Sequence, residues 1–185
     1  MFIPSLVHSA EELQQILTLQ ENNLLQQLTP EERASQGFVT LQHDLATLQQ
    51  MHALSPSVIV KQDANVIAYA LTMAEGCRQL IPDLEPMYSL LDTLSWKDQP
   101  LSSRRYYVMG QICIDKPYRG QGIFEMLYHY HREVYQPAYD LFITEIATRN
   151  HRSLRAHEKV GFKIIHTHRD ELDEWAVVLW DWTES

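Results

Sequence analysis

The sequence predicts a mixed α/β domain, on three observations. Two β-branched segments, Ser57–Lys61 and Val66–Met73, flank the turn signal Gln62-Asp63-Ala64-Asn65 and read as an antiparallel hairpin. The second half then alternates strand, helix, strand, helix, strand, which adds parallel connections to that hairpin. Composition supports a folded core: 45% of the 185 residues are apolar and 21% charged, which suits a globular chain and not a disordered one. That length fits one domain, residues 1–185, and no Gly-, Ser- or Pro-rich linker divides it.

The elements follow in order. Ser9 with Glu12 three residues on forms a capping box, and Leu13, Ile16, Leu17, Leu24, Leu25 and Leu28 recur at helical spacing. A second start follows, with Thr29 as N-cap, Pro30 at the first helical position and Glu32 behind it. A short helix is expected over Asp44–Ala53, with Leu45, Leu48 and Met51 on one side. After the hairpin comes a long excursion, about residues 75–105, read as an insertion. It holds Pro82, Pro86 and Pro100, a helical stretch near Met87–Leu94 and the exposed-looking Trp96-Lys97-Asp98. Connections of this length often form lids or binding loops. Tyr106–Ile114 reads as a strand, Gln121–Tyr135 as a helix, Leu141–Ala147 as a strand and Ser153–Val160 as a helix ended by Gly161. Phe162–Thr167 and Trp175–Trp182 are strands joined by the acidic turn Asp170–Glu174.

Charge and composition narrow the function. The net charge of −9 argues against broad nucleic-acid or anionic-membrane binding. Residues 104–163 nonetheless carry 10 Lys/Arg against 6 Asp/Glu, an island that suits a small polyanion. No apolar run approaches the roughly 18–20 residues of a membrane span, and Met1–Ser9 lacks the features of a secretory signal. Two cysteines, Cys77 and Cys113, exclude a disulfide scaffold and suit a reducing cytosol, so a cytoplasmic location is expected.

Chemistry concentrates in two stretches. In the first, a strand ending near Asp115 turns through Pro117 into Arg119-Gly120-Gln121-Gly122-Ile123-Phe124, where a helix begins. Glycines allow a tight turn and close backbone approach, and a helix N-terminus presents unpaired N–H groups to an anion. The second runs Asn150-His-Arg-Ser153-Leu-Arg-Ala-His157-Glu-Lys-Val-Gly161-Phe162. In this order and context the two resemble the GNAT superfamily of acyl-CoA-dependent N-acyltransferases. That family's phosphate loop is Arg/Gln-x-x-Gly-x-Gly/Ala, and its later motif is Asn-x-x-Ala/Ser-x-x-x-Tyr-x-x-x-Gly-Phe. The match departs at Phe124, where the family usually has Gly or Ala, and at His157, where it usually has Tyr.

The resemblance implies a mostly antiparallel sheet with central, splayed parallel strands flanked by helices. It implies acetyl-CoA as cosubstrate and a primary amine, small-molecule or peptide, as acceptor. Ile112 and Ile114 would lie on the strand whose edge pairs with pantetheine. Arg119, Gly120, Gln121, Gly122, Ile123 and Phe124 would hold the pyrophosphate. Asn150 would bond pantetheine, with Ser153 touching it or only capping the helix, and His157 would lie near the thioester sulfur and protonate the thiolate. The excursion, through Tyr88 and Trp96, would wall the acyl end, and about residues 11–36 would form the other wall.

Plainer alternatives stand beside these. Asn150 is also a good N-cap, and His157 could be a packed helix histidine. Glu145, between Thr144 and Ile146, could act as base for the amine, with pairing to Arg104, Arg105 or Arg149 the favoured alternative. Cys113 reads as core in preference to nucleophile. The set Arg149, Arg152, Arg155 and Lys159 is either a solvated helix face or an aid to holding CoA phosphates. The pairs His129/His131 and His166/His168 lack a clear third ligand, and no metal is expected. A homodimer is also compatible with the sequence. The acidic first half suggests a cationic acceptor such as a polyamine. The rival to N-acetyl transfer is a CoA-binding regulatory module that has lost it.

Overall fold

The computed structural model describes residues 1–24 and 41–184. Seven strands form one sheet, in the order β1-β2-β3-β6-β7-β9-β8. These are β1 (Phe2–Leu6), β2 (Val58–Gln62), β3 (Asn65–Met73), β6 (Tyr106–Ile114), β7 (Leu141–Ala147), β8 (Lys163–Arg169) and β9 (Glu174–Asp181). A separate two-residue hairpin pairs β4 (Ser95–Trp96) with β5 (Gln99–Pro100). Every neighbouring pair in the large sheet is antiparallel except β6 with β7. The mostly antiparallel sheet with one central parallel pair is therefore present.

Local chemistry explains the boundaries. Helix α1 (Ala10–Glu21) starts at the capping box: Ser9 Oγ accepts from Glu12 N–H at 3.2 Å. The Glu12 carboxylate reaches back to His8 N–H at 2.7 Å and also pairs with Lys61 at 2.7 Å, tying the helix to β2. The helix ends sooner than the leucine spacing suggests, at Glu21 with Asn22 as C-cap. Leu25, Leu28 and the second start at Thr29, Pro30 and Glu32 lie outside the described residues. Asp44 caps α2 (Leu45–Leu54) through Thr47 N–H at 2.7 Å. Strand β1 was not expected: Pro4 interrupts the short run Phe2–Leu6, and its pairing with β2 decides it.

Strand alternation divides the core in two. Tyr69, Leu71, Met73, Val108, Ile143 and Val177 face α1, α2 and the 75–105 segment. Ala68, Ala70, Tyr107, Phe142, Ala176 and Val178 face α4 (Ile123–Tyr135) and α5 (His151–Val160). The 75–105 segment is packed in place. It holds α3 (Glu85–Leu91), three short 3-10 turns and the β4–β5 hairpin, and buries Cys77, Ile81, Met87, Tyr88, Leu91 and Leu101.

Candidate active site

The site begins where the parallel pair fails. β6 and β7 pair at three registers only, Tyr106 with Leu141, Tyr107 with Phe142 and Val108 with Ile143. An extra residue on β6 between Met109 and Ile112 bulges that strand against β3, and a bulge bends its strand and increases its twist. Thr144 Oγ donates to Met109 O at 3.0 Å at the fork. Beyond it the strands diverge, and Met109–Ile114 and Thr144–Ala147 line a cleft of about 600 Å³. Ile112 and Ile114 thus lie on the cleft edge of β6.

One end of the cleft is built for an anion. Gly120 and Gly122 have φ of +75° and +78°, the left-handed region that disfavours a Cβ. A Cβ at either position would meet nothing within 4 Å, so backbone conformation and not crowding demands glycine, and the space above is open. Gly122 caps α4 with no side-chain bond, and the first intrahelical bond runs from Met126 N–H. The amides of Ile123, Phe124 and Glu125 therefore lack helical acceptors, where the helix dipole also favours negative charge. Arg152, Arg155 and Lys159 line the cleft from α5, whereas Arg149 turns away to Asp173 at 2.5 Å.

Several expected contacts come out differently. Ile123 is 1% exposed and belongs to the core, and Gln121 lies outside the cleft, donating to Pro117 O at 2.9 Å. Neither side chain lines the cleft. Arg119 lines the cleft but spends donors on Ile114 O at 2.9 Å and Asn23 Oδ1 at 2.7 Å, stitching β6 to the end of α1. Asn150 Oδ1 accepts from Ser153 N–H at 3.1 Å and caps α5, which leaves its NH₂ as the group for a ligand. Ser153 also lines the cleft.

His157 is 1% exposed. Its Nδ1 lies 2.8 Å from Ser153 O, which only accepts, so Nδ1 carries the proton. Nε2 then accepts from Tyr128 O–H at 2.5 Å. Burial pushes the imidazole down to about 4. The ring is neutral at pH 7 and packs edge-on against Phe124, 5.0 Å away, and Phe162, 5.1 Å away. Burial disfavours the expected imidazolium, because its charge would be desolvated.

Glu145 is half-buried and lines the cleft. Its partner is none of the three arginines named from sequence: Arg105 pairs with Asp140, Arg149 with Asp173, and Arg104 bonds Gln99. His168 Nε2 lies 2.7 Å from Glu145 Oε1, across the intervening β9. Burial raises the carboxyl above its ordinary value, and the His168 bond partly offsets this. Cys113 lines the cleft as a protonated thiol, pushed up to about 12 by burial.

The opposite wall also differs from expectation. Trp96 does not cover the cleft: its indole N–H donates to Asp181 at 2.8 Å, at the far end of β9. Tyr88 is buried in the core and does not line the cleft. Leu84 and Met87 line it instead, from the same segment, together with Leu41 and Met73. Sequence reasoning missed them because aromatic residues stand out in a chain and aliphatic ones do not. Among the described residues, no three His, Cys, Asp or Glu side chains converge as a metal site.

Comparisons with known proteins agree with this architecture. Comparison with curated proteins gives no match. Among solved structures, the chain is similar to the ribosomal-protein-S18-alanine N-acetyltransferase from Escherichia coli. That likeness has a TM-score of 0.59 and 14% identity, over 98% of this chain and 94% of that one. It is similar to yncA from Salmonella typhimurium with its cofactor acetyl-CoA, with a TM-score of 0.64 and 12% identity over 100% and 95%. It is also similar to the NatC complex bound to Gag peptide and CoA, with a TM-score of 0.67 and 11% identity over 97% and 98%. Identities this low show a shared fold alone. The acetyltransferase (GNAT) family model, however, matches residues 19–162, across the fork, the glycine turn and α5, and on that match the chain belongs to the GNAT acetyltransferase family.

Proposed function

We propose that the chain moves an acetyl group from acetyl-CoA to a primary amine, and that residues 1–185 act as one domain in doing so. The observation that carries this is the fork of β6 and β7, opening beside an uncapped α4 N-terminus with two left-handed glycines. The main-chain amides of residues 120–125 hold the pyrophosphate, the Ile112–Ile114 edge and the Asn150 amide hold pantetheine, and Arg155 and Lys159 add positive charge. Bound acetyl-CoA supplies an activated acetyl thioester. As the amine nitrogen bonds the acetyl carbon the thioester C–S bond would break and CoA would leave as the thiolate, which takes its proton from water. Glu145, at the fork and held by His168, accepts the proton released by the amine, and its raised pKa suits a base. His157 holds α5 against α4 and supplies no proton.

The test joins thermal melts with CoA to thiol release from acetyl-CoA over a set of primary amines. A melting shift with CoA and amine-dependent thiol release are expected. A shift without release for any amine would establish the CoA-binding module instead, and no shift would remove the cofactor site.

A further inference from the structure

The acceptor side of the cleft differs in character from the cofactor side. Met73, Val108 and Ile143 form one row across β3, β6 and β7, on the face opposite α4 and α5. Glu145 lies two residues along β7 from Ile143 on that face, about 7 Å away. Leu41, Leu84 and Met87 close over the same region.

Its polar side chains are already used. Gln111 Oε1 accepts from Gln20 at 2.7 Å and from Tyr69 O–H at 2.6 Å, while its NH₂ donates to Leu41 O at 2.8 Å. Asn23 donates to Leu19 O at 2.8 Å and accepts from Arg119 at 2.7 Å. Neither offers a ready site to a polar acceptor. Among the described residues, no acid of the first half lines the cleft: its acids are Glu125 and Glu145, against Arg119, Arg152, Arg155 and Lys159. A polyamine would therefore set its further charges against hydrocarbon, which is costly.

We infer that the acceptor is a primary amine with an aliphatic or thioether side chain, which sits among Leu41, Met73, Leu84 and Met87 with the nitrogen at Glu145. This rests on the acetyl-transfer reading and narrows its acceptor. Met73 and Met87 suit such an occupant, because thioether side chains adapt to apolar shapes. The thioester enters from the α4–α5 side, so this face is left to the molecule that meets it.

The experiment measures thiol release from acetyl-CoA with leucinamide, methioninamide, glycinamide and spermidine. Leucinamide and methioninamide should show kcat/KM at least about 10-fold above the other two, the scale of filling an apolar pocket. Leu84→Ser, at a partly exposed position expected to tolerate it, should bring the preference to within about threefold and keep the CoA melting shift; Met87→Ser is the second variant. Equal use of leucinamide and glycinamide, preference for spermidine, or release with none of the four overturns the inference. So does a preference for octanoyl-CoA over acetyl-CoA that Leu84→Ser abolishes, since the acyl chain would then fill the pocket. A CoA shift together with thiol release from some other amine leaves the acetyl-transfer reading intact and overturns this inference alone; a shift with no release from any amine, or no shift in the unaltered chain, means that the acetyl-transfer reading itself has failed.

Discussion

His157 and Glu145 are both partly or fully withdrawn from water, and their partners give them opposite characters. His157 lines the cleft but is only 1% exposed and has two hydrogen bonds, so the neutral ring is favoured. His157→Phe leaves the Tyr128 hydroxyl and the Ser153 carbonyl without that partner, at a cost of about 1–3 kcal/mol. The expected outcome is a lower melting temperature with turnover within about threefold of the unaltered chain. A loss of 100-fold or more with the fold intact would return His157 to proton transfer. Glu145 lines the cleft and bonds His168 through Oε1. Glu145→Gln should lower kcat by about 10²–10⁴-fold. The acidic limb of the pH–rate profile should lie above the ordinary glutamate range, because burial raises this carboxyl. His168→Ala removes the donor whose bond to the carboxylate lowers its pKa, so the limb should move further up. A limb that stays put with the same amine would detach His168 from the base.

At the scale of elements, the turn between β6 and α4 shows why a motif can be read from sequence while its contacts cannot. Gly120 and Gly122 are recognisable because only left-handed backbone makes that turn, and glycine adopts it without strain. Gly122→Val forces a β-branched residue to positive φ, at a cost of about 1–3 kcal/mol, and puts a side chain into the open space where an anion would approach. The chain should stay folded and lose most of its CoA melting shift; an unchanged shift would move the pyrophosphate elsewhere. The neighbouring side chains are decided by helix phase. Ile123 rotates into the core and Phe124 into the cleft, one residue apart. The capping box of α1 was legible because its bonds are local. The end of α1 was not, because Leu24 keeps the helical spacing yet lies beyond the helix, which ends at Glu21.

The whole molecule is held together by contacts between distant segments, and Asp181 is the clearest case. Its carboxylate receives Trp96 at 2.8 Å and Lys97 at 2.9 Å, pinning the β4–β5 hairpin to the end of β9. Burial alone would raise its pKa, but the bonds from Thr183, Trp96 and Lys97 outweigh it and hold it well below the usual range. A depressed folded-state pKa contributes stability above the unfolded value, about 3.9, and loses it as pH falls through the folded value. Asp181→Asn should therefore lower stability by about 1–3 kcal/mol at pH 7. The gap should narrow in melts below about pH 4, as the unaltered aspartate protonates. An equal gap at pH 7 and pH 3 would mean that ionisation plays no part. Trp96→Ala should destabilise the fold and leave the acceptor's KM unchanged, because the indole lies at the opposite end of the sheet from the cleft.

The sequence by itself determined the order of most elements, the mixed sheet, the glycine turn before α4 and the Asn150-to-Phe162 motif that points to the family. Each of these depends on side-chain period, a backbone conformation or a local hydrogen bond, all of which are written within a few residues. Only the tertiary structure decided that β6 and β7 separate after three pairs, that Glu145 pairs with His168 across a strand, and that Leu84 and Met87 line the cleft in place of Tyr88 and Trp96. These relations join residues 23 to about 80 positions apart. Strand order, bulge geometry and burial set them, and spacing along the chain carries none of the three.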